Sequence, residues 1–280
     1  MKVCLMKLCR LLCSALSLPL HVMQVIGYKR LFPLLAYNVT FSYNDKMHKV
    51  KRELFRNVAK FADADGTLRL LEIGCGSGAN FKFYPHGCTV MCTDPNPHFE
   101  KYLRMSMDAN QHLTYDKFIC VSGEDMRGVP DGSADVVVCT LVLCSVNNVQ
   151  QVLQEARRVL RTGGAFYFLE HVVSDSSSWT YFLQYVFEPL WCYLGDGCTI
   201  TRATWKDIEC WIISFSLGQS HRRRHNYSLR QGSGCGCCAD LVRLHFSSCT
   251  CVKQQSKNYN RKNKSFACTS ICCPSGVWAY

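Results

Sequence analysis

The run Leu70-Leu-Glu-Ile-Gly-Cys-Gly-Ser-Gly-Ala-Asn80 sets a block of apolar residues against three glycines spaced two apart. Glycine tolerates left-handed backbone and carries no side chain, so a turn of this kind lets a ligand approach bare main-chain amides. The run predicts a buried strand over Leu68–Ile73 and a tight turn, Gly74–Gly78, that opens a helix.

Alternation continues downstream. Cys88–Thr93 reads as a strand ending at Asp94, followed by a helix from Pro97 to Ala109. Phe118–Val121 is a short strand and Asp135–Leu143 a buried one. Val149–Arg161 is a helix whose apolar stripe is Val149, Val152, Leu153, Ala156, Val159 and Leu160; Gly163-Gly164 ends it before the strand Ala165–Glu170. Upstream, Asn44–Ala62 is charged and helical, with Val50, Leu54, Val58 and Phe61 on one face. Strands alternating with helices predict an α/β fold with a doubly wound parallel sheet, and 280 residues leave room for one such domain and an appendage.

Composition divides the chain. From Ile213 onward there are ten Lys/Arg against one acid, Asp240, so this stretch carries +9 of the formal +11. The preceding 212 residues hold 22 basic and 20 acidic side chains, which argues against nucleic acid as a partner of the whole protein. Of 20 cysteines, nine lie from Cys210 on. Those in the middle sit in apolar runs and read as small buried hydrophobes in a reducing compartment rather than as disulfides. Residues 3–26 are mostly apolar, yet Lys7, Arg10, Pro19, His21 and Gln24 interrupt both a signal-peptide and a transmembrane reading. Lys7, Arg10, Ser14, Ser17, His21 and Gln24 recur at intervals of three and four, so an amphipathic helix lying in a membrane interface fits best. Leu31–Tyr37 would deepen the insertion. The competing reading is a helix covering an apolar patch of the domain. Residues 1–43 are accordingly a membrane-associating segment, 44–209 the α/β domain and 210–280 a Cys-rich basic tail.

Two chemistries share the glycine turn. Gly74, Gly76 and Ala79 satisfy the dinucleotide pattern G-x-G-x-x-A, with Asp94 20 residues after Gly74 to hold a ribose diol. Glu72 before the first glycine, and the third glycine at 78, resemble instead the first motif of the class I S-adenosylmethionine-dependent methyltransferases. Gly123-Glu124-Asp125-Met126, Asp135–Ser145 and Val159-Leu-Arg-Thr-Gly-Gly164 resemble later segments of that family in the same order, with Thr162 where the usual turn has Pro. Lys51-Arg-Glu-Leu-Phe, Gly78-Ala-Asn-Phe-Lys-Phe-Tyr-Pro, Asp94-Pro-Asn-Pro-His-Phe-Glu-Lys, Cys139-Thr-Leu-Val-Leu-Cys-Ser, Phe187-Glu-Pro and Gly195-Asp-Gly-Cys are similar to the methyltransferase-like 7 group, the membrane-associated alkyl thiol S-methyltransferases. The resemblance covers roughly residues 15–209.

That resemblance implies an enzyme that moves a methyl group from S-adenosylmethionine to a small alkyl thiol. It implies the cytosolic face of the endoplasmic reticulum membrane and the lipid droplet as its location. It also implies a cofactor site in which Glu72 with Gly74, Cys75, Gly76, Ser77 and Gly78 cradles the methionine end. Asp94, with Pro95 and Asn96, would hold the ribose, and Glu124, Asp125 and Met126 the adenine. Two residues are candidates for taking the thiol proton. His171 follows the fifth strand, at the sheet edge where ligands bind in open α/β folds, and Asp196 lies in Gly195-Asp-Gly; the bland alternatives are a strand-end histidine bonded to a carbonyl and a turn aspartate. Cys139 and Cys144 read as structural, and no metal is expected. The aromatic stretch Trp179–Trp191 fits a lid, a membrane-facing surface or core packing. Beyond Trp211 the resemblance stops. The tail reads as a disordered or substituted C-terminus rather than a zinc module or a basic RNA-binding arm, because Cys-Cys and C-x-C steps are poor tetrahedral spacings. Sequons at Asn38, Asn226 and Asn263 would go unused in the cytosol. A tail of that kind would leave the sheet edge bare, which opens a second functional reading: a membrane-bound, catalytically impaired isoform that keeps the cofactor fold.

Overall fold

The structure, a computed structural model, describes residues 2–209, 211, 250–256, 271–272 and 277–279. Two long helices lead, α1 (Lys2–Ile26) and α2 (Tyr28–Phe55), joined at Gly27. Gly27 has φ +136°, a backbone that side-chain-bearing residues rarely adopt, and it turns one helix into the other. The α/β unit follows as β1 (Arg69–Ile73), β2 (Thr89–Thr93), α3 (Glu100–Asp108), β3 (Thr114–Ile119), β4 (Ala134–Thr140), α4 (Val149–Val159), β5 (Leu160–His171) and α5 (Trp179–Leu194). Residues 204–209 add a helical turn.

Strand order is β3-β2-β1-β4-β5, all parallel, with β1 between β2 and β4. Sequence order reverses between β1 and β4, which opens a crevice at their carboxyl ends, where such sheets bind ligands. Buried strands carry alternating residues to opposite faces. Leu70, Val90, Val136, Val138 and Tyr167 pack with α2 and α3; Leu71, Ile73, Val137, Phe166 and Phe168 pack with Val152, Leu153 and Ala156 of α4. At the opposite end of the sheet Asp135, fully buried, accepts from Arg69 N (2.6 Å), Arg69 Nη2 (3.0 Å) and Arg161 Nε. Burial alone would push its carboxyl up, but these donors outweigh it and hold the group below the ordinary range.

The predicted elements exist, with five corrections. The glycine turn does not open an α-helix: consecutive turns lead to a short 3-10 segment, Phe81–Phe83, because Phe81 folds back beneath the turn, 2.5 Å from where a Gly78 Cβ would stand. The helix expected from Asn44 begins at Tyr28, so the 43/44 boundary falls inside α2. The third strand lies at Thr114–Ile119, a few residues early, where it pairs with β2. Gly163 and Gly164 do not end a helix but lie within β5, where Gly163 takes φ +86° at a register irregularity. The sheet edge expected to be bare is paired. β6 (Thr250–Ser256) runs antiparallel to β5 from Ala165↔Ser256 to His171↔Thr250, and β7 (Ile271–Cys272) and β8 (Val277–Ala279) extend that side. The rest of the tail, with Asn226 and Asn263, lies outside the described residues.

Among the described residues no helix is long and apolar enough to cross a membrane. α1 packs along α5, and it does so by its less apolar side. Ser17 is buried, and Arg10 reaches Glu188 (2.9 Å) and the Tyr185 carbonyl (2.8 Å). Leu5, Leu8, Leu11, Leu12, Leu16 and Leu18 face outward, Leu16 at 73% exposure. The helix thus does cover part of the domain, but with the wrong face for burying leucine. On α5 the core-packing alternative does not hold for Trp179, Phe187 and Trp191, which with Leu183 and Leu194 form an exposed stripe at helical spacing.

Candidate active site

Gly74, Gly76 and Gly78 all take positive φ (60°, 52° and 78°), so the bare-backbone turn forms as the sequence requires. Asp94, just past β2, is only 6% exposed. One of its carboxylate oxygens accepts from Gly76 N (3.0 Å) and the other from Asn96 N (2.9 Å), which ties the first two strand ends together. Burial pushes its carboxyl up to about 6 against those two bonds. Asn96 in turn accepts from His98 N and donates to the Lys29 carbonyl (2.9 Å) at the start of α2, and Pro95 lies between the two site residues.

Glu72 is fully buried beneath the turn and does not stand open to a ligand. Its oxygens take Asn80 Nδ2 (2.8 Å) and Tyr84 Oη (2.6 Å), and burial raises its carboxyl to about 7. Its role is to hold the underside of the turn. From above, α2 clamps the same turn: Thr40 meets Ser77 Oγ (3.1 Å), Asn44 donates to the Ala79 carbonyl (2.7 Å), and buried Lys51 donates to Asn44 Oδ1 (2.8 Å). Cys75 is a buried thiol within the turn, pushed well up by its burial. The 122–126 segment approaches at Gly123, where a Cβ would lie 2.6 Å from Ile73 Cγ2. Glu124 accepts from Asn148 N (2.5 Å). Asp125 is exposed and paired with Arg127 (2.6 Å), whereas Met126 lies in the core with its backbone held by Glu155 and Arg158. The structure therefore does not bring the Asp125 and Met126 side chains together.

The opposite wall is the loop after β4. Gly74 stands so close to it that an added Cβ would fall 2.5 Å from Val142 Cγ2. Glu170, fully buried, fixes that loop by accepting from Val142 N and Leu143 N (3.0 Å each) and Cys144 N (3.3 Å); burial raises it to about 7. His171 does not bond a backbone carbonyl through its ring. Its Nδ1 lies 3.4 Å from Cys198 Sγ and 3.9 Å from Cys144 Sγ, and the two sulfurs are 3.2 Å apart. Cys144, read from the sequence as structural, thus lies in a thiol–imidazole cluster, whereas Cys139 is buried with its thiol toward Glu170. Burial pulls the imidazole down, and its contact with Cys198 more than restores it. The Cys198 thiol is held low by the hydrogen bond from Cys144 and by His171, against burial. Asp196 sits in a left-handed turn (φ +49°), half-buried, with its carboxyl raised by burial and Lys29 as the opposing charge.

Sequence reasoning missed Lys51, Asn80, Tyr84, Glu170 and Cys198. Glu170 carried a signal, an acid closing an apolar strand, and Cys198 stood in a segment already noted. The clamp from α2 carried none.

A family model described as a methyltransferase domain matches residues 71–168. Thiol S-methyltransferase TMT1B of Homo sapiens is 54% identical over 210 residues, covering 73% of this chain and 86% of the relative. Thiol S-methyltransferase TMT1A of Homo sapiens is 55% identical over 181 residues, covering 65% and 74%. Among solved structures, the YcgJ protein of Bacillus subtilis aligns with a TM-score of 0.44 at 17% identity, over 61% of this chain and 68% of that one.

Proposed function

This chain belongs to the thiol S-methyltransferase family, and from that membership we propose that it transfers a methyl group from S-adenosylmethionine to a small alkyl thiol at a membrane surface. The carrying observation is the abutment of Gly74 on Val142, which sets the glycine turn beside the loop bearing Cys144. The residues present fit the cofactor. The turn offers unscreened amides, Asp94 a buried carboxylate with lone pairs to spare, and Asn80 Oδ1 is buried without a partner, an acceptor suited to an ammonium group. Bound there, the cofactor supplies a methyl group already activated by a sulfonium. The protein then needs to align a thiol, exclude water and take one proton. The loop fixed by Glu170 does the first, the packed α2 covers the turn, and His171 and Asp196 are the two candidates to receive the proton.

The outward leucines of α1 and the aromatic stripe of α5 support a location in a lipid interface; the cytosolic face of the endoplasmic reticulum and the lipid droplet are the interfaces that the family resemblance implies. A labelled-methyl transfer assay across thiols, alcohols and amines tests the reading. Thiols should be methylated, and Asp94→Ala should weaken nucleotide binding on the order of 100-fold by calorimetry, the worth of two charge-assisted hydrogen bonds. Methylation of hydroxyls with none of thiols would defeat the substrate assignment.

A further inference from the structure

We propose that Cys144, His171 and Cys198 form a three-donor site for a zinc-like divalent cation, whose fourth position takes the sulfur of the substrate thiol. The proposal rests on the thiol S-methyltransferase reading and specifies how the acceptor is bound. Three soft donors from separate elements converge: Cys144 Sγ from the loop after β4, His171 Nδ1 from the end of β5, and Cys198 Sγ from the turn after α5, all within 4.8 Å of one another. Among the described residues no fourth His, Cys or carboxylate joins them. Two thiolates and an imidazole match the donor set of catalytic zinc sites, which keep one position open; structural sites close all four.

Distances separate this reading from the obvious rival, a Cys144–Cys198 disulfide. Zinc–sulfur bonds of about 2.3 Å at tetrahedral angles put the two sulfurs roughly 3.8 Å apart, and a zinc–nitrogen bond of about 2.0 Å puts sulfur and nitrogen roughly 3.5 Å apart. The observed 3.2 Å between sulfurs must open by about half an ångström for the metal, but must close by more than one to reach a disulfide of about 2.0 Å. The sulfur–nitrogen distances of 3.4 and 3.9 Å bracket the metal value.

Cys144 and its loop are also held by bonds unrelated to its own sulfur. Glu170 takes the Cys144 amide, Thr199 N donates to the Cys144 carbonyl (2.9 Å), and Arg202 Nη1 donates to the carbonyls of Leu143 (2.8 Å) and Val146 (2.6 Å). The Trp191 ring stands edge-on to the imidazole at 6.3 Å, and the neighbouring carboxyl, Glu170, is committed to backbone amides. Binding a substrate thiol forms one sulfur–metal bond and breaks one S–H bond; with His171 Nδ1 spent on the metal, the proton passes to Asp196 or to solvent buffer in place of His171. The substrate is thus presented as a thiolate without needing a strong base.

The test uses full-length protein, purified under reducing conditions without chelator, incubated with zinc and desalted. Elemental analysis should find about one zinc per chain in wild type and at least tenfold less in the Cys144→Ser/Cys198→Ser double variant. Thermal melting and nucleotide calorimetry should show that the variant is folded. Cobalt in place of zinc should give thiolate-to-metal charge-transfer absorption that grows when a small alkyl thiol is added. Wild type that takes up no zinc, a folded double variant that retains it, or a Cys144–Cys198 disulfide in reductant-treated protein each overturns the site. Thiol methylation by zinc-free protein would remove its role and leave the proposed function standing. Stoichiometric zinc without any thiol methylation would do the reverse.

Discussion

Gly74 shows how little latitude the site leaves at single positions. Its φ of +60° is strained for any other residue, and its missing side chain leaves the space that Val142 Cγ2 occupies. Gly74→Ala should therefore cost roughly 1–3 kcal/mol of local strain and abolish measurable nucleotide binding in calorimetry, while urea unfolding shows a chain that still folds cooperatively. Binding at wild-type affinity would refute the close approach. Such positions were legible in the sequence because glycine has few structural reasons to recur at two-residue spacing. Glu72 was legible as a position but not as a role. Whether a carboxylate beside a turn faces a ligand or the core depends on Asn80 and Tyr84, which arrive only after the chain folds back.

Strands and core helices of the α/β unit could be read from periodicity, since β1, β4 and α4 carry uninterrupted apolar patterns and the parallel order follows from alternation. The two N-terminal helices could not be placed. Period alone finds two faces on α1 but does not say which one meets protein. The structure turns Ser17 and Arg10 inward and six leucines outward, because Glu188 and the Tyr185 carbonyl on α5 offer Arg10 its partners. Replacing Leu8, Leu12 and Leu16 with Asn should weaken binding to phospholipid vesicles on the order of 1,000-fold or more in flotation assays, at about 1.5–3 kcal/mol per buried leucine, with nucleotide affinity in the absence of vesicles unchanged. A triple variant that floats like wild type would rule out this face as the anchor. Nor could sequence give the α2 clamp, because Thr40, Asn44 and Lys51 look like ordinary polar residues of a charged helix until Ser77 and Ala79 lie beneath them.

At the scale of the molecule, three buried carboxyls govern the response to pH. Asp94 is raised from 3.8 to about 6, and Glu72 and Glu170 from 4.5 to about 7, each chiefly by burial. A group raised in the folded state binds its proton more tightly there than in the unfolded chain. Its stabilising contribution is whole below the ordinary value and disappears as pH climbs through the folded one. The raised His171 imidazole acts in the same sense. Melting temperature should therefore fall between about pH 4.5 and 7, and Glu170→Gln should make that fall shallower; a profile that rises across the window would contradict the buried charges. The arm made by α1 and α2 touches the glycine turn and its neighbours at Lys29–Asn96, Thr40–Ser77 and Asn44–Ala79. An arm bolted to the catalytic floor in this way is more than a passive tether for whatever surface it meets. On the proposed lipid reading, any free energy that adsorption spends on bending that arm is returned as a tighter or looser grip on the nucleotide, and by reciprocity the loaded enzyme would then cling to a bilayer differently from the empty one.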